Sequence, residues 1–202
     1  MKMNLPNKLS VLRLCMVPVF VVIMMIWDTT WANTVGLVLF VAASLTDMLD
    51  GKIARKYNLV TDFGKFLDPL ADKFMVIGAM LVILYKTMLT AATPIWFKAL
   101  FMVAVMLVIF RELAVTAIRL VASSSSGHVG AANMLGKIKT CVQIACVVCC
   151  LGERIVYSLV DLGAWETYLP LSSATTALML FFTLWSGINY LTIYWQYMDP
   201  QK

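Results

Sequence analysis

Charge is scarce in this sequence, and negative charge is scarcest: 202 residues include 16 Lys and Arg, 11 Asp and Glu, and a single histidine. Charged residues make up 13% and hydrophobic ones 61%, with a mean hydropathy of +0.86, which excludes an ordinary soluble domain. The lone histidine, His128, sits in the polar run "SSSSGH" at 123–128, which reads as a solvated connector. A zinc centre or a histidine-activated nucleophile therefore has little to be built from. The five cysteines, Cys15, Cys141, Cys146, Cys149 and Cys150, all lie in apolar runs, with neither metal-finger spacing nor a disulfide framework. They read as small core hydrophobes. The N-terminal "MKMNLPNKLS" lacks the small-residue cleavage site of a signal peptide, so the apolar run after it reads as a retained first span. No internal repeat is visible.

What is present is membrane-length hydrophobicity. At about 20 residues per crossing, the chain divides into six spans near 9–27, 32–55, 64–86, 96–120, 134–156 and 172–196, in one domain over 1–202. The sixth is neutral from Thr167 to Met198. The third is neutral only from Phe74 to Tyr85, so it reaches across a bilayer only if the turns bearing Asp68 and Asp72 are part of the helix. The fourth and fifth likewise need Arg111, and Lys137 and Lys139, to complete their length.

Basic residues orient the bundle. Lys2, Lys8, Arg13, Lys52, Arg55, Lys56, Lys65, Lys73, Arg111, Arg119, Lys137, Lys139 and Lys202 fall on one side, against Lys86, Lys98 and Arg154 on the other. Both termini and the polar end are thus expected on the cytosolic side. Distributed this way, the basic excess points to a membrane and to no nucleic-acid partner. Trp27, Trp31, Trp96 and Trp165 fall near the opposite ends, as an interfacial belt would. Lys52, Lys56, Lys65 and Lys73 are expected to snorkel to the interface.

Against this background, "LTDMLDGKIARKYNLVTDFGKFLDPLADK" at 45–73 gathers Asp47, Asp50, Asp68 and Asp72. On helices, the first two project within about 60° of each other and the last two within about 40°. A short loop joins the two helices, so the pairs can meet. Four converging carboxylates need cations or must take up protons. Oxygen donors at this density suit magnesium, manganese or calcium, and two divalent ions would neutralise them. Gly51, Ala54 and Gly64 keep the surrounding surface open, Arg55 offers a phosphate-binding fork, and Thr61 and Asp62 can cap the third span. Short aspartates cannot snorkel far, which sets them apart from the lysines.

"DMLDGKIAR", then eight residues, then "GKFLDPLAD" resembles the signature of the CDP-alcohol phosphotransferases, D-x-x-D-G-x-x-A-R-x8-G-x-x-x-D-x-x-x-D, with every fixed position present. "LPNKLSVLRL" is similar to that family's entry segment, with Ser10 where threonine is more familiar. "RELAVTAIR" and "NMLGKIKTCVQ" resemble the branch that makes phosphatidylglycerophosphate. The resemblance implies an all-α membrane enzyme of six transmembrane helices with a short N-terminal amphipathic segment, often a homodimer, in a bacterial cytoplasmic membrane. It implies CDP-diacylglycerol as donor and two Mg²⁺ or Mn²⁺ ions held by Asp47, Asp50, Asp68 and Asp72, with Asp72 also the general base. Asn7, Ser10, Arg13, Gly51, Ala54, Arg55, Thr61 and Gly64 would lie at the CDP-lipid.

The acceptor is read from the second half. Arg111 and Arg119 are about 80° apart on one helix, and Lys137 and Lys139 open the next. Such a cluster suits an acceptor carrying its own phosphate. Glycerol 3-phosphate fits, inositol phosphate would satisfy the same charges, and Lys139 could instead simply follow the positive-inside pattern. A cation-coupled transporter is the reading from another class, opposed by the placement of the acids at one end with no matching polar path through the other half.

Overall fold

The computed structural model describes residues 4–56, 61–126, 134–160 and 168–194, apart from the side chains at 5–6, 48–56, 62–63, 65–66, 68–69 and 120–126. These residues form six long helices: α1 (Leu5–Ile26), α2 (Thr30–Lys56), α3 (Asp62–Leu89), α4 (Ile95–Ser126), α5 (Met134–Leu159) and α6 (Pro170–Tyr194). There is no strand among them. Each expected span has its helix, with ends shifted by a few residues. Asn7–Ile26, Ile95–Arg119, Met134–Leu159 and Pro170–Tyr194 are long and apolar enough to cross a membrane. The other two, α2 and α3, carry the aspartate motif.

Local chemistry sets the helix ends. A proline in the first turn of α1 loses nothing there, because its missing N–H would have had no intrahelical partner. Thr61 caps α3 with its hydroxyl, which accepts the Gly64 N–H at 3.0 Å. At the other end of α3, the Thr90 N–H returns to the Lys86 carbonyl at 3.1 Å. The turns bearing Asp68 and Asp72 are helical, as the length of the third span requires.

Two expectations need correction. The amphipathic N-terminal segment is not a separate element among the described residues, since Leu5 already belongs to the unbroken α1. Ser123–Ser126 are the last turn of α4 and not connector. A serine has only a modest helix penalty, which a long helix already formed can absorb at its end. His128 lies outside the described residues.

Packing joins α1 to α2 and α3, α5 to α2 and α6, and α4 to α3 and α6. Between them lies one apolar core that includes Phe20, Met24, Phe40, Met80, Phe101 and Leu151. The outer faces are also apolar: Val38, Met106, Phe110, Phe181 and Ile188 are exposed. A protein greasy inside and out has lipid as its solvent. The cysteines are all free, with Cys146 and Cys150 buried, so the Cys149–Cys150 neighbours form no disulfide. Trp27, Trp31 and Trp96 are exposed at the ends of α1, α2 and α4, while Trp165 lies outside the described residues.

Candidate active site

A cavity of about 620 Å³ is lined by α2, α3, α4, α5 and α6 at the motif end of the bundle. Asp47 from α2 and Asp72 from α3 both line it, so the two halves of the aspartate motif do come together. Arg111, Arg119, Lys137 and Lys139 line it as well, together with Lys73, Glu112 and Tyr190. Helix periodicity explains the convergence, because residues three, four and seven apart share one face of a helix. On α3, for example, Asp72 is followed by buried Met75, Val76, Ala79 and Met80.

The acidic wall is tied to α1. Arg13 is 2% exposed and its Nη1 donates to Asp47 Oδ1 at 2.5 Å. A bare carboxylate there would be costly, and the buried guanidinium both neutralises and aims it. Asp50 and Asp68 lie in α2 and α3 one turn from Asp47 and Asp72, with side chains outside the described set, as are those of Ala54 and Arg55; nothing is described at Gly51 beyond its helical backbone. Among the described residues no third ligand completes a metal site. Even so, hard carboxylate oxygens from two helices at one cavity have the donor chemistry of magnesium or manganese sites.

The entry segment serves the same wall. Asn7 Nδ2 donates to Thr61 Oγ1 at 2.9 Å, and the Thr61 hydroxyl lies 3.1 Å from Asn7 Oδ1. A Cβ on Gly64 would stand 2.8 Å from Asn7 Oδ1. The motif glycine thus makes room for α1 to dock on the start of α3. Ser10 is fully buried on the same helix. Of the residues assigned to the CDP-lipid, Asn7, Arg13, Thr61 and Gly64 therefore have clear work in holding the acidic helices together.

The basic wall is more tightly built than spacing alone suggests. Glu112 Oε1 accepts from Arg111 Nη1 at 3.2 Å and also from the ammonium of Lys139 on α5. Lys139 is only 5% exposed, so it is no idle interfacial lysine. Arg111 Cζ lies 5.3 Å from the Tyr190 ring centroid and Arg119 Cζ 4.9 Å, with Arg119 also donating to the Tyr190 hydroxyl. After these contacts, Arg111 Nε and Nη2 are buried without a hydrogen-bond partner among the described residues. Lys73 is a further correction: it lines the cavity and donates to the Thr116 hydroxyl, where sequence suggested an interfacial lysine. Thr116 presents that oxygen because its own proton goes to the Glu112 carbonyl at 2.6 Å.

Sequence reading missed Glu112 as a bridge, Tyr190 as a shared platform and Gln143, which is buried beside Asp72, Glu112 and Lys139 in a small void. The signals were faint: an acid beside Arg111, and a tyrosine in an otherwise neutral last helix.

The opposite end is also polar, contrary to expectation. A cavity of about 490 Å³ there is lined by Asp28, Asn33, Thr87, Thr90, Thr93 and Arg154, among others. Buried Lys86 lies beside it, paired with Asp28 at 3.1 Å. Fourteen residues separate Asp72 from Lys86 on α3, roughly 21 Å at the helical rise. Buried Val76, Ala79, Met80 and Ile83 fill that interval, so an apolar layer divides the two cavities.

A bundle of apolar, membrane-length helices in which carboxylates and cations share one terminal cavity is a membrane-embedded site for anionic ligands. The chain belongs to the CDP-alcohol phosphatidyltransferase family, whose match covers residues 3–192. It is similar to the CDP-diacylglycerol–glycerol-3-phosphate 3-phosphatidyltransferase of Bacillus subtilis (strain 168), with 39% identity over 96% of each chain. An Arabidopsis thaliana enzyme of the same name, numbered 2, is 32% identical over 96% of this chain and 80% of its own. The Salmonella paratyphi A enzyme is 31% identical over 95% of each.

Proposed function

We propose that this chain transfers the phosphatidyl group of CDP-diacylglycerol to glycerol 3-phosphate, giving phosphatidylglycerophosphate and CMP. The observation that carries this reading is the cavity itself, where Asp47 and Asp72 share one space with a buried guanidinium that retains unpaired donors. Its family and its named relatives support the same donor and acceptor. The protein works as a six-crossing bundle in a bacterial cytoplasmic membrane, both termini and the site on the cytosolic side, as a homodimer.

Asp47, Asp50, Asp68 and Asp72 would hold two magnesium or manganese ions. Bound there, the ions supply charge neutralisation at the pyrophosphate and at the departing CMP. Arg13 holds Asp47 in place. Asn7, Ser10, Gly51, Ala54, Arg55, Thr61 and Gly64 form or support the donor side. Arg111, Arg119, Lys137 and Lys139 bind the acceptor's phosphate, which places its hydroxyl toward the acidic wall. Asp72 takes the hydroxyl proton as the acceptor oxygen bonds to the lipid-linked phosphorus and the pyrophosphate P–O bond breaks, releasing CMP. The displacement is taken to be direct, because the described lining residues include no histidine to activate a nucleophile, and the cysteine among them, Cys141, is exposed.

The test is turnover by purified protein in detergent with magnesium, CDP-diacylglycerol and a panel of glycerol 3-phosphate, inositol phosphate, glycerol and serine. CMP and phosphatidylglycerophosphate should form one for one, without any ion gradient and with inversion at a chiral phosphorus. Equal use of the neutral alcohols would refute the acceptor assignment, and retention would refute direct displacement.

A further inference from the structure

Glu112 is an acid buried in the basic wall, and the reaction outlined above gives it no task. Successive residues on a helix point about 100° apart and do not normally face each other. The Arg111–Glu112 pair, at 3.2 Å, therefore requires the two side chains to bend toward each other round the helix. The same oxygen, Oε1, also receives the ammonium of Lys139 from α5. One carboxylate oxygen thus fixes two cations from two helices, while the Tyr190 ring supports the guanidinium from α6. Left after this are Arg111 Nε and Nη2, buried and unpaired among the described residues. An unpaired buried donor costs roughly 1–3 kcal/mol, so a fold does not retain two on one side chain idly.

We propose that Glu112 is a positioning residue for the acceptor's phosphate monoester. It holds Arg111 and Lys139 side by side at the wall of the cavity that both line, where the phosphate oxygens would bind, and it keeps Lys139 from turning to Asp72, which lies in the same small void. Two cations held by one anion leave a net single positive charge, enough to attract a phosphate dianion without closing on the acidic wall. This inference rests on the reading of Arg111 and Lys139 as acceptor ligands.

The test is steady-state kinetics of Glu112→Gln and Glu112→Asp in detergent, varying glycerol 3-phosphate and CDP-diacylglycerol separately, beside Arg111→Ala and Lys139→Met. Charge-assisted hydrogen bonds of this kind translate into about ten- to hundredfold in affinity. Glu112→Gln should raise the KM for glycerol 3-phosphate by about tenfold or more, leave the KM for CDP-diacylglycerol unchanged, and lower kcat far less. Glu112→Asp should recover part of the loss. Added to the Arg111→Ala, Lys139→Met double variant, Glu112→Gln should raise KM no further, because it acts only through those two side chains. A wild-type acceptor KM in Glu112→Gln, a loss confined to kcat, or failure of both Glu112 variants to fold overturns the inference. If Arg111→Ala and Lys139→Met themselves leave the acceptor KM unchanged, the acceptor site itself is misassigned.

Discussion

Lys86 and Arg111 are buried cations at opposite ends of the bundle, and their donors are used differently. Lys86, 3% exposed, bonds Asp28 at 3.1 Å, Asn33 Oδ1 at 2.8 Å and the Trp27 carbonyl at 3.2 Å. An ammonium has three protons, so every one has an acceptor, and the end of α1 is clamped to the start of α2. Glu153 nearby is just as fully occupied: it accepts the N–H groups of Leu171 and Ser172, the Ser172 hydroxyl and the Tyr157 hydroxyl. It caps α6 from α5. Arg111, by contrast, lines a larger cavity and has two buried donors without a partner among the described residues. Buried charge whose bonding capacity is filled by protein serves the fold; buried charge with capacity left over is what the proposed acceptor site would use.

That contrast can be broken most forcefully at Asp72. Asp72→Asn should lower turnover by about 10²- to 10⁴-fold while leaving the thermal midpoint in detergent near wild type. Near-normal rates would remove Asp72 as the base. At the other end the pattern should reverse. Lys86→Met strands the buried Asn33 oxygen and should cost about 1–3 kcal/mol of stability, with kcat and both KM values unchanged in the folded fraction. Altered acceptor kinetics in that variant would mean the two ends are coupled. The smallest effect is expected at Asp28, which is 70% exposed. Asp28→Asn should shift stability by less than about 1 kcal/mol, and less still in high salt, because solvent and ions screen the exposed carboxylate.

Much of the architecture was legible in the sequence because bilayer thickness fixes helix length. The brevity of the neutral stretch Phe74–Tyr85 alone forced Asp68 and Asp72 into α3, and they are there. The spacing of the aspartates likewise foretold that Asp47 and Asp72 would reach a common space. Legibility ended where side chains meet across distant helices. Arg119 and Tyr190 are 71 residues apart, and Asn7 and Thr61 are 54 apart. No periodicity encodes those pairs. Lys86 is a further case: the sequence places it only on the side opposite the motif, whereas three acceptors from neighbouring segments hold it buried. The polar cavity at that end was invisible because much of its polar lining is threonine and serine, whose hydroxyls leave hydropathy almost unmarked.

Crystals of the protein soaked in manganese and measured at the manganese edge test this division of labour most directly. The account predicts anomalous density beside Asp47 and Asp72 and none in the cavity around Asp28 and Thr90. Density at the Asp28 end, or its absence from the aspartates, would contradict it.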